Sequence, residues 1–111
     1  MRTLACSILC LAVLATASGS QDAPVNGKIT LVYFWATWCG PCRMVTPALE
    51  KMAAEDADIA LRKIDLTEPH DSYGVDKLPT IKIYSRGGSL VGTVVGADIA
   101  KVKSYVAQAK S

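Results

Sequence analysis

The sequence predicts one α/β domain built on a mixed central sheet flanked by helices. Its 111 residues hold one hydrophobic core and leave no room for a second domain, since domains commonly run to about 100–150 residues. The order of elements is strand, helix, strand, loop, strand, hairpin, strand, helix, which mixes a crossover connection with a tight reversal and so mixes strand directions. The reversal itself is legible: Arg86-Gly87-Gly88-Ser89 separates two strand-like runs, so the last pair is antiparallel.

The first twenty residues need a separate account. Met1-Arg2 gives a positive start, Leu4 to Ala15 is almost unbroken apolar chain, and small residues follow through Ala17-Ser18-Gly19-Ser20. That layout predicts a secretory signal peptide over about 1–17, with Ala15 and Ala17 fitting the small-x-small rule for cleavage after Ala17, and Ala17 and Gly19 fitting cleavage after Gly19 almost as well. The run is shorter than the roughly 20 residues that span a bilayer, and it lacks the polar face of a surface helix. Cys10 follows Leu9 and Cys6 comes early, an unsuitable setting for lipidation. Residues 18–27, with Pro24 and Gly27, read as a connector, and 28–111 as the folded domain.

Ile29 to Trp35 is β-branched, aromatic and nearly continuously apolar, as expected for a central strand covered on both faces. Arg43 to Ala54 carries Val45, Leu49, Met52 and Ala53 near helical spacing, with Glu50, Lys51 and Glu55 opposite, and Pro47 is expected to bend this helix. Ile59 to Asp65 is a short strand, and Thr67 to Ser72, with Pro69, a loop or brief helical turn. Thr80 to Tyr84 alternates like a half-covered strand, and Leu90 to Val95 returns beside it. Asp98 is placed to cap a closing helix from Ile99 to about Ala109, with Val102, Tyr105, Val106 and Ala109 facing inward.

A net charge of +2, from 12 Lys+Arg against 10 Asp+Glu, excludes the strongly basic surface that nucleic acids or anionic membranes require. His70 and the Lys101/Lys103 pair read as solvated surface. Chemistry concentrates instead in Trp38-Cys39-Gly40-Pro41-Cys42, where a strand gives way to a helix. A sulfur at a helix N-terminus meets unpaired N–H groups and the positive end of the dipole, which favour thiolate, so Cys39 is expected to be the nucleophile. Cys42, about one turn further on and more buried, is placed to resolve a mixed disulfide. Pro41 suits a first helical turn because its missing N–H would have had no partner.

Two plainer readings compete. Half of a zinc site would want a second pair of ligands, and beyond the leader only His70 is left to offer one, so no metal is expected. A permanent structural disulfide would gain little from closing so small a loop.

Ile29 to Arg43 (ITLVYFWATWCGPCR), with Tyr73-Gly74-Val75, Leu78-Pro79-Thr80, the Gly87-Gly88 turn and Val95-Gly96-Ala97, resembles the thioredoxin family over roughly residues 28–109. The resemblance implies a thioredoxin fold, disulfide exchange without a cofactor, and a cis bond before Pro79, a geometry essentially confined to proline. It implies that Trp38, Gly40, Pro41 and Pro79 support the cysteines. It also implies that Leu78, Thr80, Val95 and Gly96, with Trp38, line the surface that docks an extended substrate peptide, ordinary packing being the alternative for Trp38 and nearly as good a reading of Leu78, Thr80 and Val95. Protein disulfides or dithiols are the implied substrates, a reductase or membrane thiol carrier the implied electron donor, and a monomer the expected state.

Two departures stand out. Thioredoxins usually carry a buried aspartate two residues before the first tryptophan, and here that position is Tyr33; Leu61 stands where the family often has the lysine paired with it. A buried lysine without its carboxylate would be costly, so the two replacements fit together. They leave Cys42 without its usual proton acceptor. The opening strand and helix of the fold are expected to be missing or reduced, unless residues 4–17 are retained and supply that helix. The functional expectation is an exported reductant or isomerase-like exchanger, with net oxidation of secreted thiols and a non-catalytic binding subunit as the alternatives.

Overall fold

A computed structural model describes residues 21–68 and 73–111. The expected leader with Cys6 and Cys10, and the stretch holding Pro69 and His70, lie outside the described residues.

The described chain runs β1 (Ile29–Trp35), α1 (Cys42–Glu55), β2 (Ile59–Asp65), β3 (Thr80–Tyr84), β4 (Leu90–Val95) and α2 (Ile99–Lys110). The sheet order is β2-β1-β3-β4, which puts the most apolar strand in the interior as its composition demands. β1 and β2 are parallel, from Ile29 opposite Ile59 to Trp35 opposite Asp65. β3 is antiparallel to both β1 and β4, so the sheet is mixed. All four strands fall on their expected residues; α1 begins one residue earlier than its spacing predicts, at Cys42 itself, and runs on through Pro47.

Alternation along β1 divides the interior in two. Ile29, Leu31 and Tyr33 face a cluster formed with Val45 and Leu49 of α1 and Val102 and Val106 of α2, and Cys39 and Cys42 belong to it. Both described helices therefore pack on one face. Val32 and Phe34 point the other way, with Ile64, and Leu66, Tyr73, Val75, Leu78 and Tyr84 pack around them. Each fully buried side chain of this size contributes roughly 1.5–3 kcal/mol, so β1, buried on both sides, is a large contributor to the fold's stability.

The ends of the elements are fixed by polar contacts. Asp98 caps α2 as expected, its Oδ1 accepting from the Lys101 N–H at 3.1 Å. The connector is tied down too: Gly27 N–H donates to the Arg86 carbonyl at 3.0 Å and Val25 N–H to Thr30 Oγ1 at 2.8 Å. One feature of the sheet was not expected. Ile83 faces Gly92 but Tyr84 faces Leu90, so Val91 is an extra residue in β4 and forms a bulge. Gly92 lies directly under the Tyr105 ring.

Candidate active site

β1 delivers the chain at Trp35 to a tight turn in which the Cys39 N–H donates to the Ala36 carbonyl at 3.1 Å. Pro41, already helical at φ −59°, ψ −25°, launches α1, and Cys42 is its first residue. Cys39 and Cys42 are joined as a disulfide with their Cα atoms 5.4 Å apart. The Cys42 N–H points at the Cys39 sulfur, 3.3 Å away. An N–H so placed at the positive end of a helix dipole favours a thiolate at Cys39 once the disulfide is reduced. Cys39 is 5% exposed and Cys42 2%, so both sulfurs are largely covered in the disulfide form.

Trp38, expected beside the cysteines, is 67% exposed, which rules out ordinary packing. It is held by its edge. Its Nε1 donates to the Thr67 carbonyl at 3.4 Å, and the Thr37 N–H donates to Thr67 Oγ1 at 2.9 Å. Thr67 is in turn fixed by Asp65, whose Oδ1 accepts from the Thr67 N–H at 2.8 Å and from the Thr67 hydroxyl. Sequence reasoning did not single out Asp65 or Thr67 for this role. The parallel pairing was the available signal, because it sets the C-terminal end of β2 beside the turn that follows β1, where α/β sheets place their sites.

The Thr67 side-chain and backbone hydrogen bonds hold the Asp65 carboxyl below the ordinary carboxylate range. A folded-state pKa lowered in this way stabilises the loop above the unfolded value and loses that effect as pH falls through the folded value. Acid titration is thus expected to loosen Trp38 below the pH at which an ordinary aspartate titrates, read as a tryptophan emission change that Asp65→Asn shows already at neutral pH.

Around Pro79 the expectations divide. The Leu78-Pro79 bond is cis. Gly96 has φ +104°, a backbone that favours glycine, and its N–H donates to the Pro79 carbonyl at 2.8 Å, so the two loops are locked together. Leu78 packs against both clusters, including the one that holds the cysteines. Val95 is 58% exposed and free to meet a partner. Thr80 is 4% exposed and its hydroxyl donates to the Lys77 carbonyl at 2.7 Å, so its side chain is engaged within the fold.

Beneath the cysteines, Tyr33 is fully buried and its hydroxyl meets Thr46 Oγ1 at 2.7 Å and the Cys42 carbonyl at 3.1 Å. Burial pushes the phenol above its usual range, against the pull of the Thr46 hydrogen bond, so it stays neutral at physiological pH. Leu61 packs against the same cluster. The lysine of this strand is Lys63, opposite Tyr33 in register and paired with Glu50 at 2.6 Å on the exposed side.

The thioredoxin family model matches residues 12–108, a span that begins within the apolar run read as a leader. Thioredoxin-2 of Saccharomyces cerevisiae is 41% identical over 98 residues, covering 85% of this chain and 93% of the yeast protein. Thioredoxin of Malassezia sympodialis is 35% identical over 103 residues, 86% and 97% of the two chains. The crystal structure of spinach chloroplast thioredoxin f, in its short form, superposes with a TM-score of 0.69 at 31% identity, covering 78% of this chain and 80% of that one. Fold, dithiol turn and likeness along most of the chain agree: it belongs to the thioredoxin family of disulfide oxidoreductases and performs thiol-disulfide exchange through Cys39 and Cys42.

Proposed function

We propose that the chain is a reductant of protein disulfides in an extracytoplasmic compartment, recharged by a thiol donor there. The reducing direction rests on the Gly40-Pro41 pair between the cysteines, which resembles thioredoxin more than the strong oxidants, and the Cys42 N–H on the Cys39 sulfur supports a reactive first thiolate. Family membership implies protein disulfide substrates and a reductase as electron source. A membrane thiol carrier is the donor proposed for an exported chain. Docking is assigned to the exposed faces of Trp38 and Val95 with Leu78 and the Gly96 backbone between them, the Thr80 side chain being turned inward.

The balance of one turnover is simple. Cys39 thiolate attacks a substrate sulfur, breaking its disulfide and releasing one thiolate that takes up a proton. Cys42 then loses its proton, attacks Cys39 sulfur and releases the second thiolate. Two electrons pass to the substrate, and the chain is left as the Cys39-Cys42 disulfide.

Titrating the pair against dithiothreitol or glutathione tests direction. The general thioredoxin value is about −270 mV, a reference and not a property read from this chain, against about −120 mV for a strong oxidant. A potential near the first is expected; one near the second makes the chain a net oxidant. Export rests on the positive start, apolar run and small residues of 1–17. Expressing the full chain in a secretion-competent host and sequencing its N-terminus is expected to show Ser18 first, or Ser20 if cleavage follows Gly19. A retained Met1 in the cell interior would overturn export.

A further inference from the structure

Cys42 must lose a proton before it can resolve a mixed disulfide, yet it is 2% exposed and no carboxylate stands at Tyr33. The groups that do surround it form a pattern of their own. Thr46, one helical turn along α1, has its hydroxyl 2.9 Å from the Cys42 carbonyl and 2.7 Å from the Tyr33 hydroxyl. It also lines a cavity of about 100 Å³ together with Trp35, Ala36, Thr37, Cys39, Cys42 and Arg43. Trp35 is one of those lining residues, and its indole N–H is buried with no hydrogen-bond partner among the described residues. A cavity of this size admits water, which needs at least two polar partners to be held there.

We infer that Thr46, with Tyr33 behind it, is a positioning residue for deprotonation of Cys42, holding with the Trp35 N–H the cavity water that takes the thiol's proton. The two hydroxyls and the carbonyl have two hydrogen-bond arrangements. In one, Tyr33 donates to Thr46 and Thr46 to the Cys42 carbonyl, leaving a Thr46 lone pair for water. In the other, Thr46 donates to Tyr33 and Tyr33 to the Cys42 carbonyl, which again leaves a Thr46 lone pair for water. The proton passes to water and out past Thr37 and Arg43, both exposed. The freed electron pair on Cys42 sulfur then forms the bond to Cys39 as the substrate thiolate leaves.

The charged neighbours fit a neutral device. Arg43 borders the cavity, Lys63 and Glu50 near Tyr33 pair with each other, and on the β3 side Tyr33 faces the apolar Ile81.

Reduced full-length chain mixed with the chromogenic disulfide 5,5'-dithiobis(2-nitrobenzoate) separates the steps, because Cys39 attack releases one thiolate and Cys42 resolution the second. Thr46→Val is expected to slow the second release on the order of tenfold, within the range a positioned proton path supplies. It should also move the midpoint of that phase's pH profile upward, while the first release stays close to wild type. Thr46→Ser restores both, and Tyr33→Phe gives a smaller slowing with the same upward shift. A profile that only scales without moving, or a Ser variant as slow as Val, overturns the inference and makes Thr46 a packing residue. If Thr46→Val does not fold, an unshifted Tyr33→Phe profile overturns it equally. The inference rests on the exchange reaction proposed above; loss of the first release in the wild-type chain would count against that reaction, not against Thr46.

Discussion

Cys39→Ser is expected to reduce disulfide reduction to the background of the assay, while Cys42→Ser keeps the first chemical step and stalls on the second. The asymmetry follows from position. Cys39 sulfur receives the Cys42 N–H at the head of α1, and a serine hydroxyl in that place stays protonated and does not attack sulfur. Serine at 42 leaves the Cys39 thiolate in the same field. The chain then bonds covalently to its substrate, and nothing inside the protein can break that bond. Mass spectrometry of the reaction with a disulfide-containing protein is expected to show a persistent one-to-one adduct for Cys42→Ser and none for Cys39→Ser. Adducts in the opposite variant would exchange the two roles. A chain that keeps its biological effect with both cysteines replaced would be a scaffold, and its dithiol incidental.

What the sequence discloses about this site, and what it withholds, divides along chain distance. Ile29 to Trp35 announces an interior strand because every residue there must be covered on one face or the other, and the structure places it between β2 and β3. The cysteine pair, Pro79 and Gly96 are legible because each carries a local requirement: a helix start, an imide bond, a positive φ. Tyr33 is visible as a departure, but its meaning depends on Thr46, which lies on another element and is indistinguishable in sequence from any helix-surface threonine. Thr67 and Asp65 are hidden for the same reason, since only the parallel register of β1 and β2 brings them under Trp38. Thr80 is a case of the opposite kind. Its place in a motif suggests a substrate contact, whereas its hydroxyl is occupied by Lys77.

A stability effect that removes no core side chain is expected at Gly92, a residue that a strand pattern would have filled with something β-branched. An added Cβ there would stand 2.6 Å from Tyr105 Cδ1, and closer still to Cε1 and Cζ, so the Tyr105 ring must move. The ring is not free to do so without loss, because Tyr105 packs against the cluster that includes Val102 and Val106. Two effects oppose each other in Gly92→Ala. Alanine restricts the unfolded chain, worth about 0.4–1 kcal/mol in favour of folding. Overpacking costs typically 1–3 kcal/mol, and the second effect wins. For a domain of this size each kcal/mol lowers the melting temperature by roughly 4–8 °C. Removing the obstacle reverses the sign: in a Tyr105→Ala background, itself destabilised by lost packing, Gly92→Ala is expected to be neutral or stabilising. Thermal melts of the four proteins give the coupling directly, and strict additivity of the two substitutions would show that the ring contact is not what requires glycine. The cysteines lie at the other end of β1, so the disulfide exchange rate per folded molecule should be the same in all four. The bulge at Val91 and the glycine beside it then belong to the docking of α2 on the sheet, and the chemistry of the dithiol turn is separable from them.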